Sequence, residues 1–269
     1  MIMTDHLGWQ WTEDRIAYRA VASGDTAALI TFTFTADGDG MFHPGGGRGR
    51  IRTDTVVPSF SLEGPEDLLA PLKAAGTVVR VANPSLWDAL ATAIMRQVIQ
   101  AGHARDRYTR FCTAYGEPVP SAEHEVTAWL FPDPDRILRL SDSDFRHVGA
   151  AFPMPVLREA ARAYLDHGDE WHEVAAVDLV SLLQRVPRIG PWTAKAAMAD
   201  YTNDFALYPY TDHAVQTWAR ALNPARDWPE TASAFGAAWE QVAGDHVSAW
   251  TLLTLAWGIS HGKSARSTS

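Results

Sequence analysis

The stretch Val186-Pro-Arg-Ile-Gly-Pro-Trp-Thr-Ala-Lys195 decides the fold of this chain. Before it, the apolar residues of positions 179–183 recur at helical spacing. Pro187 ends that helix, Gly190 allows a tight turn, and Pro191 suits the first turn of a second helix. The pattern therefore predicts two helices joined by a short hairpin.

Such a hairpin points backbone N–H groups and the positive end of a helix outward, which suits a phosphate. Residues 179–199 include Arg185, Arg188 and Lys195 and contain no carboxylate. Together with Gly190 these residues are the predicted contacts to a nucleic-acid backbone. A helix–helix turn without any ligand explains the spacing equally well, so on spacing alone both interpretations stay open.

A second informative stretch is Phe205-Ala-Leu-Tyr-Pro-Tyr-Thr-Asp-His-Ala-Val-Gln-Thr-Trp218. Asp212 stands near the start of a predicted helix whose apolar face includes Val215 and Trp218. An aspartate there is most often a plain N-cap, whose carboxylate accepts hydrogen bonds from the first turn. Thr211 is the alternative cap, and it would leave the Asp212 carboxylate for chemistry.

Residues 186–195 followed by 208–217 resemble the hairpin and catalytic-aspartate region of helix–hairpin–helix DNA glycosylases. The nearest likeness is to the 3-methyladenine DNA glycosylase II branch. In that family the hairpin grips the DNA backbone and an aspartate serves the chemistry, which the resemblance assigns to Asp212. The likeness extends from about Pro84 to Gly262, and residues 1–82 match the family's β-rich accessory domain only loosely.

The chain departs from the family pattern at two positions. Arg188 replaces the first glycine of the hairpin, which puts the loop shape in question and offers a further phosphate contact. Bifunctional members carry a nucleophilic lysine two residues after the second glycine, where this chain has Trp192. Lys195 lies one helical turn further on, so the resemblance implies a monofunctional glycosylase without lyase activity.

The resemblance also implies an aromatic pocket for an extruded base. The chain has 11 tryptophans, and aromatic rings both stack on a flipped base and attract a cationic, alkylated one. The residues in the corresponding stretches are Trp192, Tyr208, Tyr210, Trp250 and Trp257. A core position is the alternative for each tryptophan, since most helical tryptophans are buried.

The segment Ile94-Met-Arg-Gln-Val-Ile-Gln100 resembles the part of the family that supplies a wedge residue. By position that residue is Val98. A core position on a helix is the alternative, and the helical pattern favours the core position slightly.

The predicted secondary structure changes near Pro84, from a strand-rich part to a helical part. Residues 1–82 are predicted as an α/β accessory domain, in which Leu29-Ile-Thr-Phe-Thr-Phe-Thr alternates like a half-buried strand. Residues 83–262 are predicted as almost entirely helical, beginning at the capping box Ser85-Leu-Trp-Asp88. We therefore expect an α+β protein, mainly a helical glycosylase region of two lobes with a cleft, ending in a flexible tail at 263–269. Within the first domain, strands are predicted at 29–35, 51–57 and 78–81 and a helix at 65–75.

Composition limits the cofactors and the compartment. The single Cys112 rules out a disulfide within the chain and a cysteine-ligated iron–sulfur cluster, and the histidines lack zinc-type spacing. We expect no metal site and no cofactor, apart from a monovalent cation that hairpins of this family hold through backbone carbonyls. Residues 1–11 lack the pattern of a secretion signal, and no apolar run could span a membrane, so we expect a cytoplasmic monomer.

The net charge of −9 argues against a nucleic-acid partner, because phosphate binding is mostly electrostatic. Local clusters of basic residues soften this objection. Besides the hairpin, these clusters contain Arg48, Arg50 and Arg52 in a glycine-rich loop, and Arg96, Arg105, Arg107 and Arg110 along a helical stretch. We expect salt-sensitive binding to double-stranded DNA with damaged bases.

The predicted reaction is hydrolysis of the N-glycosidic bond of a damaged, in particular alkylated, base, with Asp212 stabilising the positive sugar. Two alternatives remain. One is an N-glycosidase that acts on a free nucleoside or a natural-product glycosylamine, which absence of salt-sensitive DNA binding would favour. The other is a non-catalytic binder of modified DNA, which base release would exclude.

Overall fold

The computed structural model describes residues 1–24, 26–34, 40–44, 53–56, 61–121, 123 and 125–266. The chain forms two compact units. The hairpin unit consists of His6–Arg52 and Ala82–Thr202, and the aspartate unit of Met1–Asp5, Thr53–Val81 and Asn203–Ser269. Both units draw on residues from either side of position 82, and the domain limits of 1–82 and 83–262 stay a prediction.

The elements follow one another along the chain. The strands are β1 (Gln10–Trp11), β2 (Ala17–Ser23), β3 (Thr26–Phe34), β4 (Gly40–Pro44), β5 (Thr53–Val56), β6 (Val78–Val81), β7 (Pro118–Ser121) and β8 (Val126–Trp129). The helices are α1 (Glu66–Ala75), α2 (Leu86–Met95), α3 (Ala101–Tyr115), α4 (Pro134–Arg139), α5 (Asp142–His147), α6 (Met154–Glu173), α7 (Ala176–Leu183), α8 (Pro191–Thr202), α9 (His213–Leu222), α10 (Ala232–Ala243) and α11 (Val247–Arg266). A 3₁₀ turn at Gly244–His246 joins the last two helices.

The described residues of the hairpin unit form two antiparallel sheets. One has the order β1-β2-β3-β4, with Ala17 opposite Phe32 in the β2–β3 register. The other is the small hairpin of β7 and β8, in the part of the chain predicted as helical. Ala20 and Leu29 of the first sheet pack against Val119 and Ala128 of the second.

The predicted hairpin is supported by closely packed helices of the hairpin unit. α2 and α8 pack against each other, and α7 packs against α8. Small buried side chains such as Ala91 on α2, and Ala194 and Ala197 on α8, allow this close approach. Ser85 caps α2 by accepting the Asp88 N–H at 3.1 Å, but the Asp88 carboxylate turns away, so only half of the predicted capping box forms.

The aspartate unit packs α9 against α1 and α11, and α10 against α11. Gly258 on α11 is essential to this arrangement, because a Cβ there would lie 2.2 Å from the Trp218 ring of α9. Trp239 and Trp250 are fully buried at its centre, where truncating a large aromatic typically costs about 3–5 kcal/mol. β5 and β6 form an antiparallel pair in the same unit.

The local predictions for the first 82 residues are confirmed in β3, β6 and α1, and β5 lies inside the predicted strand 51–57. Arg48, Arg50 and Arg52 lie outside the described residues. The last helix extends to Arg266, four residues into the segment expected to be a tail. Among the described helices, none has both the length and the apolar character needed to cross a bilayer.

Candidate active site

The predicted helix–hairpin–helix forms at residues 176–202. After α7, the Val186 N–H bonds to the Leu183 carbonyl at 3.1 Å, and the Ile189 N–H bonds to the Val186 carbonyl at 3.1 Å. Val186 and Ile189 are buried, while Arg188 between them is exposed. The apolar residues thus anchor the turn and direct its tip outward.

Arg188 has the left-handed backbone conformation that glycine adopts most readily. Its φ is 67°, in the left-handed region that costs an L-residue roughly 1–2 kcal/mol. Gly190 is not among the residues with positive φ, and a Cβ there would meet nothing within 4 Å. The prediction that Gly190 permits the turn is therefore wrong, since the residue with special backbone geometry is Arg188.

The cationic side chains of the hairpin are on its surface, because Arg185, Arg188 and Lys195 are all exposed. Arg185 also lines a cavity of about 510 Å³. The α6 side of that cavity carries both signs of charge, with Asp166 and Glu170 beside Arg162. Arg188 and Lys195 are the better candidates for phosphate contacts.

Val98 lies in the turn between α2 and α3. It is 92% exposed and has a φ of 52°, so the alternative of a core position is wrong. A β-branched residue in the left-handed region is a true outlier, and outliers of this kind cluster at functional sites.

Trp192 is half-buried in the first turn of α8. The Arg96 guanidinium lies 5.8 Å from the centroid of its ring. One turn along the same helix, the Lys195 side chain is exposed. Trp192 thus keeps part of its aromatic surface accessible while Arg96 contributes positive charge beside it.

In the aspartate unit, Asp212 is the N-cap of α9. Its Oδ1 accepts the Ala214 N–H at 2.8 Å, and its carbonyl accepts the Gln216 N–H at 3.1 Å. The alternative that Thr211 caps the helix is wrong, because the Thr211 carbonyl instead accepts the Gln216 side-chain amide at 2.6 Å. The half-buried carboxylate sits beside the positive end of the helix dipole.

The residues just before Asp212 are held by several side chains. The Tyr210 hydroxyl donates to the Glu240 carboxylate on α10. Gly236, on the same helix, lies under this segment, since a Cβ there would be 3.0 Å from Thr211 Cγ2 and 3.2 Å from Tyr210 Cε2. Burial, together with the hydrogen bond to Glu240, raises the pKa of Tyr210 to about 12. Tyr210 is therefore a neutral phenol with a fixed ring.

Solved structures of DNA glycosylases resemble the chain over most of its length. A 3-methyladenine DNA-glycosylase from Archaeoglobus fulgidus gives a TM-score of 0.70 at 15% identity, covering 94% of this chain and 90% of that one. An 8-oxoguanine glycosylase/lyase from Clostridium acetobutylicum, in complex with double-stranded DNA containing cytosine opposite the lesion, gives 0.67 at 12% identity over 97% and 90%. A DNA-3-methyladenine glycosidase from Bacillus halodurans gives 0.56 at 18% identity over 78% and 95%. No protein-family model and no curated protein matches the sequence.

The chain has the helix–hairpin–helix DNA glycosylase fold. The predicted fold class, α+β and dominated by helices, is confirmed. At these identities the likeness establishes the fold alone.

Not every predicted pocket residue is accessible in this glycosylase fold. Trp250 is fully buried, its Nε1 donates to the Glu63 carbonyl at 3.1 Å, and its ring meets Trp239 edge to face at 6.0 Å. It is a core residue, and its assignment to a base pocket is wrong. Tyr208 is also buried, stacked on Phe205 at 5.7 Å.

Trp257 keeps part of its surface exposed. Its ring stacks on His261 at 4.1 Å and meets Trp218 edge to face at 6.4 Å. Of the predicted aromatic residues, those with accessible surface are Trp192, Tyr210 and Trp257.

The predicted basic row on α3 is only partly available to a ligand. The Arg105 guanidinium points inward and donates to the carbonyls of His6, Leu7 and Trp9 at 3.1, 3.3 and 2.7 Å. Burial and the neighbouring Arg110 lower the pKa of Arg107. Arg105 is thus a structural residue that ties the N-terminal segment to α3.

A buried polar cluster around Asp88 was missed at the sequence level. Its carboxylate lies 3.2 Å from His6 Nε2 and accepts from Arg19 at 2.9 Å and Tyr108 at 2.8 Å. Asn83 links the same carboxylate to Asp200 on α8. The members come from distant parts of the sequence, and the one local signal, the capping box at Ser85, indicated a different role for Asp88.

Among the described residues, no group of three or more histidine, cysteine or acidic side chains is arranged to hold a metal ion. The hairpin carbonyls of Val186, Arg188 and Gly190 each already accept a protein N–H group. They would offer a monovalent cation only their remaining lone pairs.

Proposed function

We propose that the protein is a DNA glycosylase that hydrolyses the N-glycosidic bond of a damaged, in particular alkylated, base in double-stranded DNA. The observation that carries the proposal is the combination, within one glycosylase fold, of an outward-facing hairpin bearing cations and a half-buried aspartate at a helix start. The first suits a phosphate backbone, and the second suits a developing positive charge.

The hairpin would hold the duplex without reading its sequence. Arg188 and Lys195, both exposed, would supply the charge for this contact. Because the net charge of the chain is −9, this binding depends on a local surface and weakens steeply with salt.

Val98 would act as the wedge that occupies the duplex when a base is extruded. Its exposure fits a residue that meets its partner only in a complex. The extruded base would stack on aromatic rings, for which Trp192, Tyr210 and Trp257 have accessible surface. The electron-rich ring faces of Tyr210 and Trp257 favour a cationic alkylated base.

In the proposed reaction, water adds to the anomeric carbon of the sugar as the bond to the base breaks. An alkylated base carries a positive charge and leaves with the bonding electrons as a neutral molecule, so little acid catalysis is needed. Asp212 would stabilise the oxocarbenium-like sugar and accept the proton of the attacking water. Its bond to the Ala214 N–H keeps the carboxylate in one orientation.

We propose further that the enzyme is monofunctional. Trp192 stands where bifunctional members have their lysine, and the exposed Lys195 follows one turn later on α8. Treatment with borohydride should trap no covalent adduct between the enzyme and DNA. A trapped species that disappears in Lys195→Ala would contradict this assignment.

The decisive experiment is a base-release panel on methylated, deaminated and oxidised duplexes, with undamaged duplex as the control. We expect release from the methylated duplexes, and binding that falls steeply as salt is added. Binding to damaged duplexes without release from any of them would indicate a binder of modified DNA instead.

A second candidate is hydrolysis of a free nucleoside or a glycosylamine. The observations that favour it are the net charge of −9 and the inward orientation of Arg105, both of which reduce the surface available to DNA. Release of base from free nucleosides, without salt-sensitive DNA binding, would support this candidate.

A further inference from the structure

Residues 96–98, here named the Val98 turn, follow α2 and have a defined backbone conformation. The Arg96 N–H bonds to the Thr92 and Ala93 carbonyls at 3.2 and 3.3 Å, and the Gln97 N–H bonds to the Ile94 carbonyl at 3.1 Å. The chain then enters the left-handed region at Val98, with a φ of 52°. A valine adopts this conformation only where its surroundings hold it there.

The side chain of Gln97 connects this turn to the hairpin within the same unit. Its Nε2 donates to Thr193 Oγ1 at 2.8 Å and to the Arg188 carbonyl at 3.4 Å. Both acceptors belong to the hairpin region: Thr193 is in the first turn of α8, and Arg188 is the residue with a φ of 67°. The side chain of Gln97, the residue just before Val98, therefore bonds directly to the left-handed Arg188 of the hairpin.

The neighbouring residue reinforces the connection. Arg96 places its guanidinium 5.8 Å from the ring centroid of Trp192, the residue before Thr193. Two successive residues of the Val98 turn thus contact two successive residues of α8. Gln97 itself is half-buried, whereas Val98 next to it is 92% exposed.

We propose that Gln97 is a positioning residue that fixes the Val98 turn to the hairpin, so that base extrusion and phosphate binding occur on one rigid surface. This inference rests on the proposed function. Without the two hydrogen bonds, Val98 could relax to a more favourable conformation. The hairpin would then still bind phosphates through its own charges, but the wedge would not be preorganised.

The test compares Gln97→Met with Gln100→Met. Methionine keeps the length of glutamine and removes both donors. Gln100 is a matched control, because it is exposed and makes no side-chain capping bond at the start of α3. The two readouts are equilibrium affinity for undamaged duplex and the rate of extrusion, followed by fluorescence of 2-aminopurine beside a tetrahydrofuran abasic analogue.

We expect Gln97→Met to slow extrusion about tenfold, because the variant loses both hydrogen bonds that hold the Val98 turn. Affinity for undamaged duplex should stay within about twofold of wild type. Gln100→Met should change neither quantity. Thr193→Val should slow extrusion less, and it should add little in the double variant with Gln97→Met, because the two residues share one interaction.

Extrusion by Gln97→Met at the rate of Gln100→Met would overturn the inference. So would an equal loss of extrusion and duplex affinity accompanied by a lower melting temperature, since that pattern indicates a general structural role. Failure of the proposed function is recognised separately, as wild-type protein that releases no base from any duplex. The fluorescence comparison still decides the role of Gln97 in that case, because extrusion does not require bond cleavage.

Discussion

The hairpin and the segment that carries Asp212 are stabilised in different ways. The hairpin rests on buried residues beneath it: Val186, Ile189 and the small side chains between α2 and α8. The segment at 209–212 is instead held by hydrogen bonds, one within the segment and others to side chains of the following helices α9 and α10. The Asp212 N–H donates to the Pro209 carbonyl at 2.7 Å, and Gln216 and Glu240 bind the residues between them.

Because of this difference, substitutions in the two supports should affect different quantities, the free energy of unfolding in one case and the reaction rate in the other. Support that is buried beneath a surface contributes to the folding of the whole unit, so its loss lowers the free energy of unfolding. Support that acts on a few residues fixes their conformation, and its loss changes what those residues do. Two aspartates, Asp88 and Asp212, make the contrast testable.

Asp88→Asn has the largest expected effect on stability. The carboxylate pairs with the buried Arg19 at 2.9 Å, and removing one partner of a buried pair costs about 3–5 kcal/mol. Urea denaturation at neutral pH measures this loss. We expect the residual folded protein to keep its specific activity, because Asp88 lies in the support and outside the proposed chemistry. Unchanged stability would show that the cluster is not what holds α2 in place.

The same variant should change the pH dependence of stability. Burial alone would raise the pKa of the Asp88 carboxyl, but His6, Arg19 and Tyr108 outweigh burial and hold that pKa well below its ordinary value. The ionised form therefore contributes stability above the unfolded pKa of about 3.9, and this contribution is lost as the pH falls further. The free energy of unfolding should fall less steeply with acidification in Asp88→Asn than in wild type.

Asp212→Asn should have the opposite outcome. Asparagine caps a helix about as well as aspartate, so the melting temperature should stay close to that of wild type. The negative charge is lost, and removing such an electrostatic stabiliser typically costs about 10²–10³ in rate. Single-turnover base release measures the effect. A rate within a few-fold of wild type would remove Asp212 from the chemistry.

Gly236→Ala tests the support of the Asp212 segment. A Cβ at 3.0 Å from Thr211 and 3.2 Å from Tyr210 would displace this segment by a few tenths of an ångström. Alanine in a helix interior is favoured over glycine by about 0.5–1 kcal/mol, which offsets the crowding. We expect base release to slow several-fold with little change in melting temperature. The neighbouring exposed Ala237→Ser is the control, and equal rates in both variants would contradict the proposed support.

The sequence predicted the features that depend on neighbours in the chain. The hairpin and the capping position of Asp212 are local patterns, and both are present. The role of each tryptophan was not predictable, because Trp250 is buried and Trp257 half-buried on the same helix, and only tertiary packing decides which face is covered. The Asp88 cluster joins residues that are distant in the sequence, so no spacing rule reveals it.

Arg188→Gly should give the smallest effects, and they have opposite signs for stability and binding. Glycine relieves the cost of a left-handed arginine, roughly 1–2 kcal/mol, but it loses more entropy on folding, roughly 0.5–1 kcal/mol. The net gain of about 0.5–1 kcal/mol follows from the difference of these two ranges and is measurable by urea denaturation. Loss of one phosphate contact should weaken binding to all duplexes alike and reduce the slope of log affinity against log salt by about one.

Lys195→Ala is the matched control. It removes a charge from the same surface at a residue that is not left-handed, so it should reduce the slope without any gain in stability. Equal stability changes in the two variants would show that Arg188 is not strained. A salt slope that is unchanged in Arg188→Gly would show that Arg188 does not contact DNA in the wild-type protein.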